Sequence, residues 1–209
     1  LSAGNDSRII ATYLAKMCPD QTITFAYGRP SLYEVEISRT VAEALGLKWH
    51  FVEGSKSRWS NLRRSDAVQQ MLKESHQYSS APYVQDWPAV WWLKEAGLLR
   101  DDAVIVPGHS GDVPTGGMML LELLSNREKS TVARSIRDFH YSLWPYKMLD
   151  TNKGTLENWI THVSLPSNWG YGDTAFEKIG AGDTWNWRER QAKWLVNSMR
   201  GIEAAGLTW

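Results

Sequence analysis

The sequence contains almost no cysteine and no excess of charge of either sign. Cys18 is its one cysteine among 209 residues, which excludes an internal disulfide and a zinc site built from several cysteines. Lys plus Arg number 23 and Asp plus Glu number 23, so there is no basic footprint for a nucleic-acid backbone. We therefore expect no nucleic-acid partner, and the low cysteine content favours a reducing, cytoplasmic setting.

Long hydrophobic runs are also missing from the sequence. No stretch approaches the roughly 20 apolar residues of a membrane-spanning helix, and no secretory signal peptide is visible. We expect no membrane partner. The 12 tryptophans are abundant instead, and we expect most of them to fill a core. Trp169 and Trp185 lie in or beside a Gly-rich stretch, so they are the two to test as ligand contacts.

Apolar periodicity predicts alternating helices and strands in the first half of the chain. We predict a helix from the opening loop to Met17, a strand at 23–27 and a helix at 32–45 that Gly46 caps. A strand at 47–52 and a helix at 66–76 follow, and then a helix at 87–96 with Asp86 as its N-cap. The last predicted strand, at 103–106, is buried on both faces. Strands that alternate with helices indicate a parallel α/β sheet.

The pattern becomes helical in the second half. Helices are predicted at 118–124, 131–143, 156–163 and 187–205, with a Pro/Gly/Asn-rich loop at 164–183. We expect an α/β core over residues 1–117 and a helical C-terminal part over residues 118–209.

The chain opens on the string Leu-Ser-Ala-Gly-Asn-Asp-Ser-Arg, residues 1–8. A short glycine-containing turn that runs into a helix directs backbone N–H groups and the positive end of the helix dipole at a bound anion. Ser2 and Ser7 can add hydroxyl donors. Asp6 would repel phosphates unless a cation lay between them, which points to Mg²⁺ ligation. The alternative is an ordinary helix start that Asn5, Asp6 or Ser7 caps.

A second glycine-rich loop, residues 107–117, directly follows the predicted strand at 103–106. Ligands of open parallel sheets bind at the carboxyl ends of the strands, so we expect this loop and the opening loop to face one pocket. A histidine side chain has an unperturbed pKa of about 6.5, so the residue type at position 109 suits proton transfer near neutral pH. The alternatives are a substrate or phosphate contact or a structural hydrogen bond for His109, and a flexible connector for the loop.

Both loops resemble those of the asparagine synthetase family. The opening string resembles the Ser-Gly-Gly-Xaa-Asp-Ser pyrophosphate loop of ATP pyrophosphatases, and Gly108, Asp112, Gly116 and Gly117 match the family's second loop. The string from Trp185 to Lys193 resembles asparagine-synthase-related amidotransferases of surface-polysaccharide synthesis. The resemblance implies an adenine nucleotide alpha-hydrolase-like fold: a parallel sheet with flanking helices, followed by a helical C-terminal part.

The chain departs from the family pattern at four places. Ala3 stands where the family has Gly, His109 where it has Glu, and Val113 where a second Glu follows the loop Asp. The opening motif also normally follows a buried strand, and this sequence starts too late to contain one. Either the sequence is a fragment or that strand is very short.

The resemblance implies a set of site residues and a reaction. It assigns Mg²⁺ to Asp6 and Asp112 and catalysis to His109. It assigns ATP and its pyrophosphate to Ser2, Ala3, Gly4, Asp6, Ser7, Tyr27, Gly108, Asp112 and Lys193. Arg190 and Lys193 lie three apart on one predicted helical face, and the alternative for both is a solvated charged surface. The implied reaction adenylates a carboxyl or amide oxygen of a small-molecule acceptor and then transfers ammonia.

Several alternatives stay open at the level of sequence. Ammonia could come from a separate glutaminase subunit, from a missing part of a longer polypeptide, or free from solution. Rival ATP-cleaving enzymes act in NAD or GMP synthesis or in tRNA thiolation, although neutral charge and the absence of paired cysteines argue against the tRNA branch. A degenerate nucleotide-binding or scaffolding module without catalysis is the rival from a different class.

Overall fold

The structure, a computed structural model, describes residues 1–75, 84–109, 111, 129–142, 146–164 and 175–208. These residues form a mixed α/β fold that is mostly helical and contains a small parallel sheet of two strands with flanking helices. The described elements are, in order, α1 (Asn5–Met17), a 3₁₀ turn (Pro19–Gln21), β1 (Ile23–Gly28), α2 (Tyr33–Ala44), β2 (Lys48–Glu53), α3 (Lys56–Leu62), α4 (Asp66–Ser75), α5 (Trp87–Glu95), α6 (Lys129–His140), α7 (Tyr146–Ser164), α8 (Ala175–Glu189), a π-helical segment (Arg190–Leu195) and α9 (Val196–Ala204).

β1, α2 and β2 form the predicted strand–helix–strand unit. The two strands are parallel, with Ile23 opposite Lys48 at one end. Gly46 has a φ of +68°, and the N–H of Leu47 donates to the carbonyl of Ala42 over 2.9 Å, which closes the last turn of α2. The predicted glycine cap is therefore confirmed, and it turns the chain directly into β2.

The predicted strand at 103–106 is reduced to one parallel bridge, between Val104 and Thr208. The prediction that it is buried on both faces is wrong, because Val104 and Val106 are 56% and 51% exposed. A strand is buried on both faces only where neighbouring strands and helices flank it. In the described part of the chain, the backbone groups of Ala103 and Ile105 pair with Thr208.

The amphipathic interpretation of α1 is only partly confirmed. The helix forms as predicted, and Ala11 is buried. Three of the apolar residues that define its stripe, Ile9, Tyr13 and Met17, are 56%, 63% and 77% exposed. The helix therefore buries a different side from the one that the largest apolar residues indicate.

The chain divides into two compact units, Leu1–Gly111 together with Ala192–Trp209, and Asp112–Gln191. We call them the loop unit and the helical unit. In the loop unit, α4, α5 and α9 enclose a core that includes Met71, Trp87, Val90 and Ile202. The C-terminal segment thus folds with the first half of the chain, which the sequence did not indicate, and the predicted boundary at residue 117 stays a prediction.

The helical unit packs α6, α7 and α8 around Val132, Ile136, Ile160 and Trp185. Because α8 begins at Ala175, the predicted loop at 164–183 is wrong over 175–183. Packing against α6 and α7 outweighs the low helix propensity of the glycines there. The predicted helix at 118–124 lies outside the described residues.

Candidate functional site

A cavity of about 1190 Å³ lies in the loop unit. The sequence-predicted site residues that line it are Ser2, Gly4, Asp6, Ser7, Tyr27, Gly108 and His109. Ala3 is described but does not line the cavity, so the structure does not bring it to this site.

The opening loop folds back on the start of α1. Gly4 is the N-cap residue and makes no side-chain cap, so the alternative in which Asn5, Asp6 or Ser7 is the cap residue is wrong. The Ser2 and Ser7 hydroxyls lie 3.0 Å apart, and the backbone N–H of Ser2 donates to Ser7 Oγ over 3.1 Å. Two hydroxyls are thereby gathered at the positive end of the helix dipole, where an anion is favoured.

Two glycines of the second loop bring it against the first. A Cβ on Gly108 would lie 2.7 Å from the backbone nitrogen of Ser7 and 2.9 Å from its Cα. A Cβ on Gly111 would lie 2.6 Å from each carboxylate oxygen of Asp6. Real Cβ atoms do not approach so closely, so a side chain at Gly108 would collide with backbone, and one at Gly111 would displace the Asp6 carboxylate. The two loops that were predicted to face one pocket therefore adjoin.

Asp86 connects Tyr27 and His109 beside these loops. The Tyr27 hydroxyl donates to Asp86 Oδ1, and His109 Nε2 lies 3.7 Å from Asp86 Oδ2. The His109 and Asp86 side chains are 32% and 24% exposed. A carboxylate beside an imidazole orients the ring, so this arrangement holds His109 at the lining of the cavity.

Asp86 is the N-cap residue of α5, as predicted, but its side chain does not serve as the cap. Its backbone carbonyl accepts from the N–H groups of Ala89 and Val90, but its carboxylate makes no cap hydrogen bond. The carboxylate instead contacts Tyr27, 59 residues away in sequence. Sequence reasoning missed Asp86 as a site residue because an Asp before a helix is an ordinary cap signal and no local spacing points to so distant a partner.

The remaining predicted site residues are not brought together by the described part of the chain. Asp112, Val113, Gly116 and Gly117 lie outside the described residues, so the pairing of Asp6 with Asp112 stays a prediction. The backbone of Lys193 lies in the π-helical segment. The sequence predicts an α-helical face at this position.

A magnesium ion is compatible with Asp6 but is not enclosed by a ready-made cage. Among the described residues, no group of three or more His, Cys, Asp or Glu side chains could hold a metal. Mg²⁺ is usually bound through one or two carboxylates, substrate phosphates and water. Asp6, which lies in the first turn of α1 and beside Gly111, fits that kind of ligation.

The tryptophans divide between core and surface. Trp185 is 8% exposed and packs edge to face on Trp159, with ring centroids 5.4 Å apart. The interpretation of Trp185 as a ligand contact is therefore wrong, because it fills the core of the helical unit. Trp169 lies outside the described residues. Trp87 is buried in the loop unit, whereas Trp187 is 39% exposed.

Comparisons with protein-family models, curated proteins and solved structures gave no match for this chain. Within the described residues, no helix has both the length and the apolar character needed to cross a membrane. Geometry at the junction of the two loops is therefore what supports a function.

Proposed function

We propose that this chain is the synthetase domain of an ATP-dependent amidotransferase of the asparagine synthetase type. The observation that carries the proposal is the contact of the second loop with the first: Gly108 against Ser7 and Gly111 against Asp6. Two sequence motifs that resemble one family's nucleotide loops, about a hundred residues apart, meet at one end of one cavity.

The first step of the proposal is binding of the ATP phosphates at the start of α1. Ser2 and Ser7 present hydroxyls there, and Gly4 leaves the first-turn N–H groups without a side-chain cap. Backbone N–H groups, hydroxyl donors and the helix dipole together favour a polyphosphate. Tyr27 and Gly108 line the same cavity and would contact the rest of the nucleotide.

The second step is charge compensation. Asp6 would hold Mg²⁺ between its carboxylate and the phosphates, with Asp112 as the second ligand that the resemblance implies. Bound Mg²⁺ would neutralise charge that develops on the leaving pyrophosphate. The close approach of Gly111 to Asp6 keeps a side chain of the second loop from displacing the carboxylate.

The third step is the chemistry. An oxygen of the acceptor attacks the α-phosphorus of ATP, the bond to the bridging oxygen breaks, and pyrophosphate leaves. Ammonia then attacks the adenylated carbon, the carbon–oxygen bond to AMP breaks, and one ammonia proton passes to the His109 imidazole. Asp86, 3.7 Å away, stabilises the imidazolium that results. The resemblance to surface-polysaccharide amidotransferases makes an acyl or acetamido sugar the proposed acceptor, and the proposed setting is the cytoplasm.

Calorimetry of Mg·ATP binding tests the nucleotide site. We expect Asp6→Asn to weaken affinity by about tenfold or more, since a contact to a charged group is worth roughly 1.5–3 kcal/mol. Asp101→Asn is the matched control, because that side chain is 96% exposed and does not line the cavity. Equal affinity for wild type and Asp6→Asn would overturn the proposed site.

Product analysis separates catalysis from mere binding. With acceptor candidates and ammonia, the proposed enzyme releases AMP and pyrophosphate. If the chain retains Mg·ATP without forming AMP, the result would instead support the second candidate, a nucleotide-binding module. The presence of His109 where the family has Glu favours that candidate.

A further inference from the structure

The segment that follows β2 and forms α3 carries charge of one sign. Residues 54–64 contain no Asp or Glu and four cations, Lys56, Arg58, Arg63 and Arg64. All four residues are exposed, and none forms an ion pair with a residue that the structure describes. In a chain whose charges balance overall, this is a local excess of positive charge that a bound anion would neutralise.

Arg58 is held in place and keeps most of its hydrogen-bond donors. Its guanidinium carbon lies 4.6 Å from the centroid of the Trp92 ring, and its Nη1 donates to the carbonyl of Glu53 over 3.3 Å. A guanidinium has five N–H donors, and the described residues accept from only one of those of Arg58. The remaining donors form the planar fork that matches a phosphate or a carboxylate. Because the first turn of a helix disfavours a cation, helix stability does not explain this residue.

Trp59 presents an aromatic surface beside this guanidinium. Its ring packs edge to face with Trp92, with centroids 6.0 Å apart, so Arg58 and Trp59 contact the same indole. Trp59 is nevertheless 39% exposed. Spacings of three and four residues place Lys56 and Arg63 on the side of α3 that carries Trp59. We call Lys56, Arg58, Trp59 and Arg63 the α3 patch.

The α3 patch adjoins the cavity of the loop unit. The N–H of Gly54 donates to the carbonyl of Gly28 over 2.8 Å, and Gly28 lines the cavity. A Cβ on Gly54 would lie 3.5 Å from the indole nitrogen of Trp59 and 3.6 Å from the Cα of Gly28. Gly54 therefore separates the Trp59 indole from the cavity lining. β1 and β2 both end here, and ligands of parallel sheets bind at the carboxyl ends of the strands.

The chemistry of the α3 patch selects a ring that carries a phosphate. An exposed indole face packs on the apolar face of a sugar ring. A phosphate group carries a charge of about −1.5 to −2 and three acceptor oxygens, which suits several unpaired cations better than a single carboxylate does. A free sugar would contact only the indole, and inorganic phosphate would contact only the cations.

We propose that the α3 patch binds a phosphate-bearing sugar, with the sugar ring on Trp59 and the phosphate on Arg58. Lys56 and Arg63 add positive charge around the phosphate. In the proposed amidotransferase this patch is the acceptor site, beside the cavity that takes ATP. That assignment as an acceptor site rests on the proposed function, whereas the binding of a sugar phosphate does not.

Calorimetry of the full chain with N-acetylglucosamine 1-phosphate tests the proposal. N-acetylglucosamine and inorganic phosphate are the comparison ligands, because each keeps one half of the recognised group. We expect the sugar phosphate to bind about tenfold or more tightly than either, since a charge-assisted contact adds to the stacking contact. Uridine diphosphate N-acetylglucosamine then identifies the source: tighter binding of this ligand assigns a nucleotide-linked sugar, and weaker binding assigns a sugar monophosphate.

Two variants locate the binding at the α3 patch. We expect Arg58→Gln to weaken sugar phosphate binding by about tenfold or more and Trp59→Leu by about fivefold. The matched controls are Arg39→Gln, an exposed arginine of α2, and Trp187→Leu, which replaces a tryptophan that is also 39% exposed. Unchanged affinity in both patch variants, or equal losses in the controls, would overturn the proposal.

Nuclear magnetic resonance supplies a check that does not depend on the folding of these variants. The indole N–H resonance of Trp59 in the wild-type chain is identified by its absence from Trp59→Phe. We expect N-acetylglucosamine 1-phosphate to shift this resonance and to leave that of Trp187 in place. Binding of the sugar phosphate without a shift at Trp59 would rule out the α3 patch as its site.

A separate titration with Mg·ATP keeps this proposal apart from the proposed function. If wild-type protein binds Mg·ATP but not the sugar phosphate, the α3 patch proposal is wrong and the nucleotide site is supported. If the sugar phosphate binds through Arg58 and Trp59 and Mg·ATP does not bind, the α3 patch is a sugar phosphate site and the proposed function is wrong.

Discussion

The loop unit and the helical unit place their charged side chains differently. In the helical unit, Arg137 is 4% exposed at its side chain and contacts both Asp138 and Glu157. In the loop unit, Asp6 lines a cavity. Charges that the protein itself neutralises serve the fold, whereas charges that face open volume are available to a ligand. We therefore expect substitutions of charged residues to change stability in the helical unit and ligand binding at the cavity of the loop unit.

The two units also differ in how their apolar residues pack. Val132, Ile136 and Ile160 of the helical unit are all 0% exposed, as in a closed core. In the loop unit, Ile23 and Phe25 of β1 are only half buried, although they lie on a strand beside the cavity. The described apolar residues of the helical unit therefore form a closed core, whereas the loop unit combines a core around Met71 and Trp87 with a cavity beside β1.

The largest expected effect is loss of the Arg137 network. We expect Arg137→Met to lower the free energy of unfolding by about 3–5 kcal/mol, because Glu157 keeps its charge in a partly buried place without its partner. Urea unfolding followed by circular dichroism measures this. The matched control is Arg100→Met in the loop unit, where the pair with Asp102 is exposed and little change is expected. Similar losses of unfolding free energy in both variants would contradict the expected difference between the two units.

The next effect concerns binding and compares two glycines. We expect Gly111→Ala to weaken Mg·ATP binding by about tenfold, because its Cβ collides with the Asp6 carboxylate and displaces it. Gly154→Ala in α7 is the control, since nothing lies within 4 Å of a Cβ there, and it should stabilise the helix by about 0.5–1 kcal/mol. Calorimetry and urea unfolding measure the two quantities. Unchanged affinity in Gly111→Ala would show that Asp6 is not held for a ligand.

The smallest effect is a pH dependence of opposite sign in the two units. Burial raises the pKa of the Asp183 carboxyl in the helical unit. The stabilising contribution of the Asp183 carboxyl is present below its usual pKa of 3.8 and is lost as pH rises through its pKa in the folded state. Asp183→Asn should therefore be more stable than wild type at neutral pH, with the difference vanishing in acid.

Asp102→Asn in the loop unit is the counterpart of this last prediction. The side-chain hydrogen bond from Arg100 lowers the pKa of Asp102, so its contribution is present above its usual pKa of 3.8 and is lost as pH falls through the folded value. This variant should be slightly less stable than wild type at neutral pH. Unfolding curves across pH that moved in the same direction for both variants would contradict the two assignments.

Local patterns predicted the elements that depend on local chemistry. The alternation in β1, the glycine after α2 and the glycine-containing start of α1 all indicated structures that formed. The loop at 107–117 was also predicted to face one pocket with the opening loop, because ligand loops gather at the carboxyl ends of parallel strands, and its Gly108 and Gly111 do adjoin that loop.

Elements that depend on distant partners were not predicted. The contact of Asp86 with Tyr27 and the helical start of α8 at Ala175 both arise from packing between segments far apart in sequence. The run at 103–106 shows the converse, since its apolar composition indicated a buried strand and its surroundings supply only Thr208 as a partner.

Short segments of the sequence were enough to predict the βαβ order, the glycine-containing start of α1 and the glycine-rich loop at 107–117, because backbone conformation and periodicity are properties of short segments. Only the tertiary structure decided that Asp86 faces His109, that Trp185 belongs to a core, and that the segment after Gln191 packs with the first half of the chain. Those outcomes depend on which surfaces bury each other, and burial is a sum over contacts that no local pattern contains.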